Sequence, residues 1–378
     1  MFDCIIVGAG PAGATAAYHL SKQGRSVLLL EKESLPRYKP CGGGLSPAIQ
    51  QWFDFDLTPV IDNKVNQVHF TWKKEDPVET ELDTSEPFWM VKRDVFDNFL
   101  VEKAVAAGSE LQDNSEVTGV QISGDLASVT TSKGKFDCRY LIAADGATGP
   151  MAKWLGFKEA KQFSGAVLEV ETSVSAAEQN IAKFDFGSLK NGLLWCFPKS
   201  NGYSLSAGVI RGGKGKAKDL EKQLTNYASE LGIDLSKSKF YDYPMNLWSS
   251  ERDLHQKNAL LVGDAAGIAD PLIAEGIRPS ILSGVKAASA VGKALDTEQE
   301  ALAEYTEAIN SEIGADLVLA QRLSGLFFQF PGMAYRVGVK RPYAGKMMSK
   351  ILCGELRYAD ITDLAMQRLK SSLIPGRG

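Results

Sequence analysis

The segment that most constrains this chain is Gly8-Ala9-Gly10-Pro11-Ala12-Gly13, set between an apolar run (Ile5, Ile6, Val7) and a stretch of good helix formers from Ala14 to Gln23. Gly24 closes the helix, Ser26 to Leu30 reads as a second buried strand, and Glu31 follows 18 positions after Gly13. Strand, glycine turn, helix, strand and acid within about 30 residues are the context in which a dinucleotide is held. Gly8 permits the tight turn, Gly10 lets backbone approach a pyrophosphate, and Gly13 lets the helix pack on the strand. The helix N-terminus offers unpaired N–H groups and a positive dipole end to phosphate. Glu31 can accept hydrogen bonds from a ribose 2′-hydroxyl.

A nucleotide domain that continued directly would carry further βα units. Instead Arg37-Tyr38-Lys39-Pro40-Cys41-Gly42-Gly43-Gly44 comes next, and alternating apolar positions follow near Val65–Trp72. The strand pattern returns twice, at Cys138–Ala144 before Asp145-Gly146 and at Ala259–Val262 before Gly263-Asp264. A helical stretch runs from 277 to 294. Strands of one sheet spread over some 260 residues imply one nucleotide domain interrupted by insertions, with its ligand beyond the carboxyl ends of the strands. The expected organisation is 1–60, 93–155 and 255–300 for that domain, 61–92 and 156–254 for an inserted antiparallel sheet, and 301–378 for a helical tail.

Composition narrows the class. With 42 Lys+Arg against 46 Asp+Glu, the charge of −4 gives no basic footprint for nucleic acid. Five cysteines at 4, 41, 138, 196 and 353 fit neither a disulfide framework nor a zinc site. No metal is expected, and a reducing, cytoplasmic compartment is the simplest reading. The amino terminus lacks a cationic n-region, and no run of 18 apolar residues occurs. His19, His69 and His255 show no ligand spacing, and no Gly-x-Ser-x-Gly elbow begins a hydrolase triad.

The three glycine motifs in this order resemble FAD-dependent oxidoreductases of the p-hydroxybenzoate hydroxylase type. Lys39-Pro40-Cys41-Gly42-Gly43-Gly44-Leu45-Ser46, Leu194-Trp195-Cys196-Phe197-Pro198-Lys199 and Gly263-Asp264-Ala265-Ala266-Gly267 with Asp270-Pro271 and Glu275-Gly276-Ile277 resemble the geranylgeranyl reductase family. Gly354-Glu355-Leu356-Arg357-Tyr358 is similar to its C-terminal helical region. The resemblance implies an α/β fold: an interrupted Rossmann-like FAD-binding domain, an inserted antiparallel β-sheet substrate domain and a helical C-terminal region. It implies that Gly8, Gly10, Pro11, Ala12, Gly13, Glu31 and Lys32 hold the ADP half of FAD. Arg93 would contact the cofactor, Asp264 the ribityl and pyrophosphate region, and Gly276 and Ile277 the flavin pyrimidine edge. Cys41, Gly42, Gly43, Asp145 and Gly263 complete the expected cofactor wall. Where the hydroxylases often have serine and arginine after Asp-Gly, this chain has Gly149 and Lys153, which receive no role.

The activity implied is hydride transfer from reduced FAD to C=C bonds of a geranylgeranyl or other isoprenoid chain. No second glycine fingerprint for NADPH is evident, so the electron donor is NADPH bound transiently or a protein such as ferredoxin. Rival readings are an FAD-dependent monooxygenase or halogenase and a non-catalytic flavoprotein assembly factor.

Several residues carry two readings. Cys41 is a catalytic thiol that donates a proton or tunes the flavin, or a small buried residue beside a tight turn. Trp195, Phe197 and Pro198 line an isoprenoid channel or form an ordinary core strand. Lys199 pairs with a diphosphate or is solvated at a strand end. Ile313–Phe330 is an amphipathic helix that packs onto the FAD domain, the preferred reading, or lies peripherally on a membrane.

Overall fold

A computed structural model of the protein describes residues 1–212, 216–296 and 301–362. The segments Phe2–Val7 and Val27–Leu30 are strands buried on both faces over Cys4–Val7 and Val27–Leu30, the pattern of a parallel sheet covered by helices. Five strands run parallel in the order Ala259–Leu261, Gly134–Ala143, Phe2–Val7, Val27–Leu30, Glu110–Gln112. Val117–Ser123 and Leu126–Thr131 form a hairpin that extends the first half of Gly134–Ala143. The register sets Val7 beside Leu30 and Ala143, and Ala143 beside Leu261. The four strand ends are therefore level, and the loops at 8–10, 31, 144–146 and 262–264 converge on one edge. The helices Pro11–Lys22, Arg93–Ala106 and Ile277–Leu295 lie in the same hydrophobic core as this sheet.

A seven-stranded sheet runs in the order Ser238–Asp242, Gly165–Glu171, Gly202–Val209, Gly192–Lys199, Ile181–Phe186, Gln67–Trp72, Glu75–Glu81. It is antiparallel except where Ile181–Phe186 meets Gln67–Trp72 in parallel, because the chain reaches these two neighbours from separate insertions. One face packs on the helix Ala217–Glu230 through Leu220, Leu224 and Tyr227. The segments Asn63–Val65 and Phe88–Met90 join Gly44–Leu45 in a small three-stranded sheet.

The C-terminal helices cover the other face of the larger sheet. Ala301–Ala308 continues through the wide turn Ile309–Gly314 into Ala315–Gln329, and Pro342–Leu352 follows. Tyr335 anchors them: its hydroxyl donates to the carbonyls of Phe70 and Asp76, and its ring lies 5.9 Å from that of Trp72. Leu317, Ala320 and Phe328 are buried, while Leu323, Leu326 and Phe330 are exposed, so the amphipathic segment packs inward on one side and leaves an apolar stripe outside. Of the expected tail, residues 363–378 lie outside the described residues, as do 213–215 and 297–300 of the expected domains. Among the described residues no helix is long and apolar enough to cross a membrane.

Candidate functional site

The phosphate end of the site is made of backbone. Gly8 sits at φ +104°, and a Cβ on Gly13 would lie 1.9 Å from the Gly8 carbonyl oxygen, so helix and strand meet with no room for a side chain. Gly10 differs: a Cβ there would meet nothing nearer than the Arg37 guanidinium at 3.8 Å, which leaves open space in the cleft above the turn. Pro11 and Ala12 line that cleft, and the helix Pro11–Lys22 begins without a side-chain cap, which leaves its first N–H groups for a ligand.

Glu31 is buried at the end of the second strand. It accepts from the backbone N–H of Ala9 at 3.0 Å and of Glu33 at 3.2 Å, and pairs with Arg37 at 3.2 Å. Lys32 is exposed and lines none of the cavities described below. Arg37 also reaches Asp97 at 3.0 Å, and Arg93 grips the same carboxylate through Nε at 2.7 Å and Nη2 at 2.8 Å. Burial alone would push the Asp97 carboxyl up, but the two guanidinium groups outweigh it and hold it below its ordinary value. Arg37 and Asp97 were missed as site residues; the Arg93/Asp97 spacing of four on a helix was the readable sign for one, and the loop position of Arg37 offers none.

On the third strand, Ala144 and Gly146 line the cleft, whereas the Asp145 carboxylate turns back to accept from the Met151 N–H at 2.8 Å. Its other oxygen is buried without a partner, and burial raises its pKa to about 6. Gly149 lies against this side chain, since a Cβ there would be 1.9 Å from Asp145 Oδ2. Gly263 and Asp264 line the cleft, and Tyr243, another residue missed from sequence, fixes Asp264 through a 2.9 Å hydrogen bond. Gly276 caps the helix starting at Ile277 with no side-chain cap, so a second N-terminus opens into the same cleft.

The Cys41–Gly44 loop forms the opposite wall. A Cβ on Gly42 would lie 2.6 Å from the Trp195 indole nitrogen and 3.1 Å from the Phe197 ring, so the loop lies flat on both. Alternation along Gly192–Lys199 turns Trp195 and Phe197 toward the cleft and Pro198 to the other face. Lys199 is neither at a diphosphate nor in solvent: it is buried and donates to the carbonyls of Gly42 at 2.7 Å and Val91 at 2.9 Å, so it fastens the loop from behind. Burial pushes its pKa down. Cys41 is half-buried, and its Sγ accepts from the Gly43 N–H at 3.3 Å.

Two further cavities adjoin this cleft. An apolar chamber of about 680 Å³ lies between the larger sheet and the C-terminal helices, and it shares Phe184, Ile273 and Leu352 with the cleft. A polar cleft of about 690 Å³ lies on the other side of the Cys41 loop and shares Lys39, Cys41 and Arg93 with it. Among the described residues no cluster of metal ligands occurs, and His19, His69 and His255 line none of the three.

Two uncapped helix N-termini and the space at Gly10 fit a long, bent, phosphorylated cofactor such as FAD. The sequence pattern described as the FAD binding domain matches residues 1–318. An uncharacterized protein of Methanosarcina barkeri is 32% identical over 78% of this chain and 75% of its own length. The digeranylgeranylglycerophospholipid reductase of Methanococcus vannielii is 25% identical over 80% of this chain and 81% of its own. Among solved structures, a geranylgeranyl bacteriochlorophyll reductase-like protein of Thermoplasma acidophilum superposes with a TM-score of 0.77 at 21% identity, covering 93% of this chain and 91% of that one. The flavin-dependent halogenase CmlS superposes at 0.67 with 21% identity, covering 85% of this chain and 63% of its own.

Proposed function

The chain belongs to the FAD-binding domain family and is an FAD-dependent oxidoreductase, and from that premise we propose that it hydrogenates C=C bonds of a geranylgeranyl or similar isoprenoid chain. The observation that carries the reading is the apolar chamber lying against the cofactor cleft, with Phe184, Ile273 and Leu352 lining both. Its volume of about 680 Å³ falls within the roughly 300–1,000 Å³ usual for small-molecule sites, and its lining includes Phe70, Phe186, Leu193, Phe327 and Met348. A polyene tail satisfies such walls; a polar aromatic ring leaves its hydrogen-bonding groups unpaired there. The likeness to digeranylgeranylglycerophospholipid reductases supports the same substrate class.

When bound, reduced FAD supplies the hydride. The chain's own part is to hold and to protonate. With FAD bound, the N–H groups at Ala12 and Gly13 would hold the pyrophosphate, Glu31 the ribose, and those at Ile277 and Arg278 the pyrimidine edge, where they would stabilise negative charge. Trp195 and Phe197 back the Cys41 loop and would exclude water from the cleft. An isolated alkene has no electron-withdrawing group, so protonation must accompany hydride delivery, and Cys41 is the thiol in the cleft wall that provides it. The external donor in this reading is NADPH or a ferredoxin.

The chamber also suggests where the lipid enters. Leu326, Met333 and Phe330, in its lining, are 65%, 64% and 55% exposed. An apolar rim suits a membrane surface. The test of the whole reading is anaerobic incubation of dithionite-reduced holoenzyme with geranylgeraniol. Saturated product supports it, whereas product formed only with O₂ favours the monooxygenase or halogenase reading.

A further inference from the structure

The central cleft shares the Cys41 loop with the polar cleft and Phe184, Ile273 and Leu352 with the apolar chamber, and the three cavities differ in what they can carry. In the proposed reaction the apolar chamber takes the hydrocarbon and the central cleft the hydride source. The third cleft is lined by Tyr38, Glu169, Lys199, Lys237 and Lys239 among others, and Cys41 stands in the wall it shares with the central cleft. On the polar side of that wall Glu169 is a largely buried carboxyl. It accepts from the Tyr38 hydroxyl at 3.0 Å and from the Ser204 hydroxyl at 3.0 Å, and Ser204 Oγ lies 3.3 Å from the Cys41 carbonyl oxygen.

We propose that Glu169, held by Tyr38 and Ser204, returns a proton to Cys41 after each turnover, so that the polar cleft is the proton inlet of the enzyme. The proposal rests on the reading of Cys41 as the acid. In each turnover one alkene carbon takes the hydride. The other takes the thiol proton, which breaks the S–H bond and leaves a thiolate. The Glu169 carboxylic acid then transfers its proton through cleft water to the thiolate, and the carboxylate is reprotonated from solvent. Neither Cys41 nor Glu169 changes oxidation state.

The surroundings suit this cycle. Burial, the largest influence on Glu169, raises its pKa and keeps the acid form accessible; Lys199, Tyr38 and Ser204 oppose this, and Asp94 adds to it. Lys239 stands opposite Glu169 in the neighbouring strand. Lys199, fastened 2.7 Å from the Gly42 carbonyl oxygen, places a cation near the transient thiolate.

The experiment compares wild type, Glu169→Gln, Tyr38→Phe and Cys41→Ser as FAD-loaded proteins, reduced with dithionite and given geranylgeraniol anaerobically. Glu169→Gln is expected to bind FAD and complete its first turnover at the wild-type rate, then to slow by about 100-fold. Tyr38→Phe, a smaller change at a half-exposed residue, shows the same pattern to a lesser degree. Iodoacetamide added after the first turnover should label Cys41 in Glu169→Gln and not in wild type, because the thiolate is the nucleophile; the other four cysteines are buried. Later turnovers as fast as wild type, or a first turnover as slow as the rest, overturn the relay. Undiminished turnover by Cys41→Ser overturns Cys41 as the acid and the relay with it, whereas no turnover by wild type overturns the proposed function.

Discussion

Asp145 illustrates how a single buried carboxyl can be at odds with the fold. Its pKa rises from 3.8 to about 6, chiefly through burial, so the folded chain binds this proton more tightly than the unfolded one. Stability therefore falls as pH rises from about 4 to about 6 and stays reduced above that. Asp145→Asn keeps an acceptor for the Met151 N–H and removes the charge. In FAD-free protein at pH 8 it is expected to gain on the order of 2 kcal/mol in urea unfolding; a loss contradicts this account. Arg37 is the opposite case, a buried cation between two carboxylates. Arg37→Met leaves Glu31 and Asp97 less compensated and should cost about 3–5 kcal/mol in the same assay. A cost under about 1 kcal/mol would show that the pairings contribute little.

At the scale of elements, the glycine turn separates two jobs that a motif reads as one. Gly13 serves helix-on-strand packing and Gly10 serves the ligand, because only at Gly10 is there space for a methyl group. Gly13→Ala is expected to lower the stability of the FAD-free protein by about 1–3 kcal/mol. Gly10→Ala should leave that stability within about 0.5 kcal/mol and still abolish retention of FAD on gel filtration. Equal destabilisation by both would remove the distinction. The strand–turn–helix unit was legible because it is local: each of its residues acts on neighbours within a few positions. Lys199 was not legible, because what it fastens, the carbonyls of Gly42 and Val91, comes from chain more than 100 residues away. The same holds for Tyr243, which acts through Asp264, whereas the two-residue alternation of the strand already sets Pro198 on the face opposite Trp195 and Phe197.

On the scale of the whole molecule, the proposed function draws on three cavities of different polarity, the central one adjoining both of the others. Periodicity made the amphipathic character of Ile313–Phe330 readable, and an inward face and an outward stripe are both present. What periodicity could not supply is that the exposed stripe of Leu323, Leu326 and Phe330, with Phe327, lines a chamber whose opposite wall is the sheet containing Phe70, Phe184 and Phe186. The outward stripe leads to a prediction: replacing Leu326, Phe330 and Met333 together by glutamate should reduce co-sedimentation with phosphatidylserine-containing vesicles about tenfold or more and leave FAD content unchanged. Unaltered co-sedimentation would place the lipid entrance elsewhere. Phe184, Ile273 and Leu352 line both chamber and cleft, so the proposed hydrogenation of a prenyl chain requires the chain to reach the cleft past them. The most direct measurement is mass spectrometry of geranylgeraniol after anaerobic incubation with the dithionite-reduced, FAD-loaded protein. The account predicts products that have gained two hydrogens for each double bond reduced, and their loss in Ile273→Trp, which blocks the passage while FAD stays bound. An unchanged prenyl chain with wild-type protein, or a product that appears only when O₂ is admitted, would contradict it.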